Sequence, residues 1–369
     1  MKIVAVDAIP LEIPFSHGGR PHALGGQPWT RLSILLVRVE TDSGLVGYGE
    51  AFSYACRRAV QAVVEDMIAP LAIGADAGDI DALNQKVQKA LHLQGRYGLT
   101  IFALSGLDIA LWDIAGKAAG LPLHRLLGAD GGESIPGYAS LYPYRDAEVV
   151  AENCRAALED GYRWIKLHEI AEPEVAAARD ALGDAVPIMV DTNCPWTPSE
   201  ARRHALAFKP YGIHWLEEPI FPPEDYAALA QLQADTGVPR AAGENACTSF
   251  DFQNMFAAGA VSYAQPSVTK VGGVSEFLKV AALAKTHGVQ VMPHSPYFGP
   301  GFPASLQLAA ALPKGALIEW LYVDLEANLY GDIIDAVDGS FHVPDGPGLG
   351  AEPDADVIET YRVRDPGSS

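Results

Sequence analysis

Short apolar runs alternate with longer amphipathic stretches through most of the chain after about residue 134. An amphipathic stretch such as TPSEARRHALAFKPYG has the spacing of a helix with one buried face. The apolar runs are strand-like, and there are eight of them: IPGYASLY, WIKLHE, PIMVDTN, HWLEEP, RAAGEN, SYAQPSVTK, VQVMPHS and LIEWLY. Eight units of strand followed by helix predict a (β/α)₈ barrel.

The N-terminal part has a different pattern. RLSILLVRVETDSGLVGYGEAF alternates in polarity and turns at TDSG, which predicts a β-hairpin. Residues 55–93 and 99–119 have helical periodicity, and the second stretch stops at a glycine. The closing segment, GSFHVPDGPGLGAEPDADVIETY, is rich in Gly and Pro and is expected to wrap back onto the N-terminal part. The predicted units are an α+β domain at 1–125, the barrel at 126–330 and the closing segment at 331–369.

Composition narrows the classes of function. Hydrophobic residues make up 49% of 369 residues, which is enough for a large core, and the net charge is −20. That charge repels nucleic acid and anionic membrane surfaces, so a small anionic substrate would need a local positive site. We expect no transmembrane helix and no signal peptide, since MKIVAVDAIPLEIPF has the pattern of a strand. Four scattered cysteines fit a reduced, cytoplasmic protein: Cys56, Cys154, Cys194 and Cys247.

Carboxylates end three successive runs. Asp191, Glu217 and Glu244 each lie one strand–helix unit from the next. Adjacent parallel strands are ~5 Å apart, so these groups should converge, and three neighbouring carboxylates need a cation to remain ionised. Ligation by oxygen alone indicates Mg²⁺, with Mn²⁺ as the alternative. A single such residue could equally cap the following helix, but three in register favour a metal site.

Further polar side chains lie at or near the ends of the runs. Lys166 and His168 lie two residues apart, so they should project to the same side of their strand. His294 ends the seventh run; an isolated histidine is more often a hydrogen-bonded core residue, but its place at a strand end favours function. Three further candidates are Asn193, Lys270 and Glu319, of which Lys270 could serve only to pair with a strand carboxylate.

The Gly-rich segment at residues 16–30 contains His17, Arg20 and His22. It is either a disordered flap or a lid, and we favour a lid that covers the site. Arg20 is then the expected contact for a second anionic group of the substrate, because guanidinium pairs well with carboxylate. His22 is a further candidate for substrate binding.

Five motifs together resemble the enolase superfamily, within its mandelate racemase and muconate lactonizing enzyme-like group. They are GLTIFALSGLDIALWDIAGKAAGLPLHRLLG, VDTN, WLEEP, GEN and VPDGPGLG, and the resemblance covers nearly the whole chain. It implies a capping domain over a barrel, Mg²⁺ on the three carboxylates and an Asn193 that orients a small carboxylate substrate. A base would remove the proton α to that carboxylate, and an enediolate would form on the metal. The resemblance also implies a homo-oligomer.

The second strand departs from a common pattern of the group. Many relatives carry Lys-x-Lys there, with the second lysine as the base, whereas this chain has Lys166-Leu167-His168. His168 therefore occupies the base position. Lys166 would touch the substrate carboxylate, and the charges of Lys166 and the metal together would hold the pKa of His168 at or below the usual ~6.5.

The later strands also depart from the group. Ser267 stands where many members have an aspartate paired with the strand-seven histidine, and where others carry a lysine base. Lys270 aligns with a neighbouring basic position instead. His294 would then act more as a proton donor than as a strong base. The strand-eight acid of the family matches either Glu319 or Tyr322.

Three functions remain open at this stage. The first is dehydration of a hydroxylated sugar acid to a 2-keto-3-deoxy acid, with His168 as base and His294 protonating the leaving hydroxyl. The second is a racemase, epimerase or cycloisomerase that acts on a similar acid. The third is a barrel that binds metal and ligand without catalysis, which the retained Lys166, His168 and His294 disfavour.

Overall fold

An antiparallel sheet covered by helices forms the N-terminal domain of this protein. The structure is a computed structural model, and it describes residues 1–20, 23–24, 27–130 and 134–364 of the whole chain. The long strands β1 and β4 pair along most of their length, and β4 continues into β5 as the predicted hairpin. The strands are β1 (Ile3–Ser16), β2 (Ala23–Leu24), β3 (Gln27–Pro28), β4 (Arg31–Thr41) and β5 (Val46–Ala51). The helices are α1 (Arg57–Ala62), α2 (Ala69–Ala72), α3 (Ile80–Ala90), α4 (Leu99–Ala119) and α5 (Leu123–Leu126), with a π-helix at Val63–Ile68.

Helix α4 is the central helix of this domain. By length and composition it could cross a membrane, but 78% of its most apolar window is buried within the protein. It packs so closely on β5 that a Cβ on Gly49 would lie 1.9 Å from the carbonyl oxygen of Gly106. The helix ends at Gly120, which adopts the left-handed conformation expected of a glycine stop.

The barrel follows as strands that alternate with helices. The strands are β6 (Ser134–Ser140), β7 (Ile165–Leu167), β8 (Ile188–Asp191), β9 (Trp215–Glu217), β10 (Arg240–Ala242), β11 (Tyr263–Ala264), β12 (Gln290–Val291) and β13 (Ile318–Leu321). The helices are α6 (Ala147–Glu159), α7 (Glu172–Leu182), α8 (Pro198–Phe208), α9 (Tyr226–Thr236), α10 (Thr248–Ala257), α11 (Gly273–His287) and α12 (Gly301–Ala311), with a 3₁₀ turn at Lys209–Tyr211.

Eight parallel strands curl in the order β12-β11-β10-β9-β8-β7-β6-β13, which confirms the predicted barrel class. Within the described residues, no backbone ladder joins β12 to β13. Ser295 bridges this gap, because its Oγ donates to the carbonyl of Glu319 at 2.9 Å and accepts from the Glu319 N–H at 3.1 Å.

The expectation of a helix after every strand was wrong at the last unit. Strand β13 leads instead into β14 (Asp324–Leu325), which pairs with β1 of the N-terminal domain. A chain that joins the neighbouring sheet directly has no length left there for a barrel helix. The remaining elements are a 3₁₀ turn at Gly331–Ile334, β15 (Ala336–Val337), β16 (Ser340–His342) and α13 (Ala355–Tyr361).

The C-terminal segment runs back over the N-terminal domain. The Leu349 N–H donates to Asp113 Oδ1 at 2.9 Å, and the Leu123 N–H donates to the Gly348 carbonyl at 2.8 Å. Further along, the Val363 N–H donates to the Pro10 carbonyl at 2.8 Å. These bonds attach the segment to α4, α5 and β1, while the domain boundaries at 125 and 330 stay predictions.

Candidate active site

Side chains alternate in direction along the barrel strands, and this places charged residues next to an apolar cluster inside the barrel. Trp215 and Met189 belong to a buried cluster inside the barrel, together with Tyr138. Glu217 and Asp191 follow two residues later on the same strands, so they face the same interior one step nearer the carboxyl ends. The alternation along each strand therefore determines the direction in which these carboxylates point.

Asp191, Glu217 and Glu244 converge as the sequence predicted. One ligand oxygen from each lies within 4.8 Å of the others. Two of the carboxylates are oriented by their neighbours: Asn193 donates to Asp191 Oδ1 from its side chain at 2.9 Å, and Trp215 Nε1 donates to Glu217 Oε2 at 2.9 Å. An all-oxygen set of this size fits a hard divalent cation.

Lys166 lies below this carboxylate cluster and is fully buried. Its Nζ is 2.7 Å from Glu319 Oε1, 3.0 Å from Glu217 Oε1 and 3.2 Å from Asp191 Oδ2. Burial opposes the charge of Lys166, but these carboxylates hold its pKa well above the usual value. Lys166, like Asp191 and Glu217, lies beneath the residues that line the cavity, and its contact with a substrate carboxylate stays a prediction.

Negative charge is in excess around this lysine. Burial, followed by the nearby Asp191, raises the pKa of Glu217 well above its usual value, even though Lys166 opposes that shift. Glu217 is therefore the member of the cluster that favours the protonated form, whereas for Asp191, Glu244 and Glu319 burial is outweighed by nearby cations, which lower the pKa values. A divalent cation would relieve the same repulsion, which is a second reason why these residues fit a metal.

His168 extends from the end of β7 toward the carboxylate cluster. Its Nδ1 lies 2.6 Å from the carbonyl of Leu141, which makes Nδ1 the protonated nitrogen, and its Nε2 lies 3.3 Å from Asp191 Oδ2. Burial lowers the pKa of His168, but Asp191 and the Leu141 carbonyl outweigh burial and Lys166, so the pKa is raised. The prediction of a pKa at or below the usual value counted on a metal cation as well as Lys166. With Lys166 alone the charge of Asp191 prevails, so the pKa with a metal bound stays a prediction.

His294 approaches the cluster from the other side. It follows β12, is nearly buried, and places Nε2 2.6 Å from Glu244 Oε2. Its Nδ1 lies 3.2 Å from the hydroxyl of Tyr297, which in turn contacts Ser267 Oγ. A neutral hydroxyl pair thus lies beside His294, in agreement with the sequence, in which Ser267 replaces the aspartate that the resemblance implies for many members. Tyr297 was not predicted, and the only sequence signal for it is its place three residues after His294.

A cavity of about 400 Å³ opens above the cluster and contacts both domains. The N-terminal domain contributes a wall of aromatic side chains: Trp29, Phe52 and Tyr54. Lys270 packs with its Nζ 4.7 Å from the centre of the Phe52 ring and 4.0 Å from Glu244 Oε1. This cation therefore stands beside the carboxylate cluster.

The remaining predicted residues differ in whether their side chains face the site. Glu319 faces the site and lines the cavity, whereas the Tyr322 hydroxyl contacts Asp160 elsewhere, so Glu319 is the strand-eight acid. The residues brought together in one cluster are Lys166, His168, Asp191, Asn193, Glu217, Glu244, Lys270, His294 and Glu319.

The predicted lid places other residues than expected at the cavity. Ala23 and Trp29 of the 16–30 segment line it, but Arg20 is exposed and is not among the lining residues. His17 is buried and stacks on Tyr142, with ring centroids 3.6 Å apart. His22 lies outside the described residues. Arg145, in the loop after β6, is an arginine that lines the cavity, and the sequence analysis did not predict it.

Two family models match the chain. The model described as "Mandelate racemase / muconate lactonizing enzyme, N-terminal domain" matches residues 16–128, and "Enolase C-terminal domain-like" matches residues 149–357. Together they cover most of the chain, and the boundary between them falls close to the start of the barrel.

Named relatives resemble the chain over nearly its full length. It is 34% identical to D-galactarolactone cycloisomerase of Agrobacterium fabrum, covering 99% of this chain and 100% of that protein. It is 33% identical to arabinonate dehydratase of Saccharolobus solfataricus, covering 90% and 91%. L-Talarate dehydratase of Polaromonas sp. JS666, solved with Mg and L-glucarate, is 31% identical with a TM-score of 0.85, covering 98% of both chains.

Proposed function

Because the chain belongs to the mandelate racemase and muconate lactonizing enzyme family, whose barrel is enolase-like, we propose that it removes the proton α to the carboxylate of a sugar-derived acid. The observation that carries the proposal is the placement of two imidazoles. His168 adjoins the Asp191 side of the carboxylate cluster, and His294 adjoins the Glu244 side. A substrate held at the cluster would have one proton-transfer group on each side.

Asp191, Glu217 and Glu244 are the proposed ligands of Mg²⁺, and Mn²⁺ is the alternative ion. A relative in the family binds Mg in its solved structure, and the three carboxylates here have the matching chemistry. When bound, such an ion supplies a Lewis acid that polarises the substrate carboxylate and lowers the cost of α-proton loss. Asn193 keeps Asp191 in place and lines the cavity beside it.

His168 is the proposed base. Its Nδ1–H donates to the Leu141 carbonyl, so Nε2 carries the free lone pair when the ring is neutral. A cation held by Asp191 would offset the charge that raises the pKa of His168. Lys166 supplies a fixed positive charge beneath the cluster, which balances negative charge as it develops on the substrate.

His294 is the proposed acid for the second half of the reaction. After α-proton loss, expulsion of an oxygen at the β carbon requires a proton for the leaving group. If that oxygen is a free hydroxyl, water leaves and the product is a 2-keto-3-deoxy acid, as the name of arabinonate dehydratase implies for that relative. Dehydration is our first candidate.

Ring opening is the second candidate function, and the similarity to a cycloisomerase over 99% of the chain favours it. If the β oxygen belongs to a ring, the same bond cleavage opens the ring and yields an isomer. Both candidates use His168 and His294 in the same roles. A homo-oligomeric state and a cytoplasmic location stay predictions.

The test is incubation of the purified protein and Mg²⁺ with a panel of sugar acids and sugar-acid lactones, with 2-keto acids detected by semicarbazide. A keto product from an open-chain acid supports dehydration, and one from a lactone alone supports ring opening. Solvent deuterium at the α carbon without a keto product would instead indicate an epimerase or racemase. No product and no exchange with any acid would contradict the proposed function.

A further inference from the structure

Arg145 lines the candidate active-site cavity but is absent from every role assigned above. It follows β6, and its side chain is 38% exposed. Its Nη1 donates to Glu169 Oε2 at 3.2 Å, which is its one side-chain partner among the described residues. A guanidinium has five N–H donors in a planar fork, so most of its donors remain available to a ligand.

Glu169 fixes the loop that presents this arginine. Its side chain is buried, and Glu169 Oε1 accepts from the backbone N–H groups of Tyr144 at 2.7 Å and Arg145 at 3.1 Å. Arg145 has φ of +56°, a left-handed conformation that non-glycine residues rarely adopt. The buried carboxylate thus holds both the backbone and the side chain of Arg145, and the guanidinium is oriented before any ligand binds.

The barrel places Arg145 across the cavity from Glu244, one of the three proposed metal ligands. In a closed order of eight strands, β6 and β10 lie opposite each other, and Arg145 follows β6 while Glu244 follows β10. The other cation that lines the cavity, Lys270, stands beside Glu244 and the aromatic wall. A substrate with its reacting carboxylate at the metal end would therefore direct its distal end toward Arg145.

We propose that Arg145 determines specificity by binding a second carboxylate at the distal end of the substrate, which makes a sugar diacid the preferred substrate class. This rests on the proposed function, since it takes the reacting carboxylate to bind at the Asp191–Glu217–Glu244 end. The arm that contacts Glu169 stays in place, and the other arm pairs with the distal carboxylate.

A matched pair of acids tests this proposal: galactarate and galactonate share a carbon skeleton and differ in whether the distal carbon is a carboxylate or a hydroxymethyl group. The readout is the diacid-to-monoacid ratio of kcat/KM with Mg²⁺. The wild type should favour the diacid. Arg145→Met should lower the ratio by roughly 10- to 100-fold, the value of a charged hydrogen bond, and Arg145→Lys should retain part of it.

Arg155→Met, at an exposed arginine of α6, is the control and should leave the ratio unchanged. A wild type that prefers the monoacid would overturn the proposal. So would an equal loss on both acids in Arg145→Met and Arg145→Lys, since that is the mark of a purely structural arginine.

Calorimetry separates this proposal from the proposed function. If the wild type turns over neither acid, the proposed function fails for these compounds, but their binding with Mg²⁺ can still be compared. Tighter binding of galactarate that is lost in Arg145→Met would support the distal site on its own. Equal binding of the two acids, or binding of neither, would overturn it.

Discussion

Replacing Lys166 with Met should make the stability of the protein depend strongly on a divalent cation. Lys166 is fully buried and lies within 3.2 Å of three carboxylates that are themselves almost completely buried. Met has a similar length and no charge, so the substitution removes the cation without leaving a large void. The carboxylates would then face one another without compensation.

The expected loss follows from this burial. Removing one partner from a buried ion pair typically costs about 3–5 kcal/mol, because the remaining charge stays in a poorly solvated site. Uptake of protons by the carboxylates limits the loss, so it should be largest near pH 8 and shrink as the pH falls. In EDTA we expect the free energy of unfolding to drop by about 3–5 kcal/mol. Mg²⁺ should restore more stability in Lys166→Met than in the wild type, because the variant has a greater excess of negative charge.

Urea unfolding followed by fluorescence, with EDTA or with Mg²⁺, measures this effect. Arg202→Met is the control, because Arg202 forms an ion pair of similar length, 3.1 Å, with Asp235 at an exposed site. Its loss should cost at most about 1 kcal/mol. A Lys166→Met protein within about 1 kcal/mol of the wild type in EDTA would refute the reasoning, as would an equal response of both proteins to Mg²⁺.

Three further predictions concern other parts of the site and its support. Glu50, on β5, is buried and accepts a hydrogen bond from the Gly301 N–H at 2.8 Å. Burial raises the pKa of Glu50 to about 8 from 4.5, so its contribution to stability is full below pH 4.5 and is lost as the pH rises through about 8. Glu50→Gln should therefore be more stable than the wild type by about 3 kcal/mol at pH 7 in urea unfolding, and a difference no larger than that of exposed Glu148→Gln would contradict this. Tyr297→Phe removes the hydroxyl beside His294 Nδ1 and should lower kcat by about 2- to 10-fold with little change in KM, whereas an unaltered kcat would mean that this hydroxyl does not position the ring. Glu244→Gln should sharply weaken Mg²⁺ binding in calorimetry, and unchanged binding would remove Glu244 from the ligand set.

The sequence predicted the carboxylate cluster because two simple periodicities determine where its members lie. A parallel barrel brings the carboxyl ends of all strands to one face, and alternation within a strand decides which side chains point inward. Asp191, Glu217 and Glu244 could be identified from these rules and their spacing alone. The family resemblance, which the family models confirm, supported the same residues.

Residues that depend on loops could not be predicted in this way. Arg145 reaches the cavity because Glu169 holds a left-handed backbone turn, and no periodic pattern encodes that turn. Tyr297 depends on the path of the chain after His294. Arg20 was expected at the cavity from its charge and position in a Gly-rich segment, but charge does not determine where such a segment lies. The depth of Lys166 was missed because alternation gives direction and not solvent exposure.

The most direct test of the account is exchange of the α proton in D₂O with Mg²⁺ and a substrate acid, comparing the wild type with His168→Asn and His294→Asn. His168→Asn should keep the fold and metal binding but lose exchange by at least the roughly 10²–10⁴-fold contribution of a positioned base. His294→Asn should retain exchange while losing the keto product. If His168→Asn exchanges at a near wild-type rate and His294→Asn does not, the base is His294 and the two assignments are reversed.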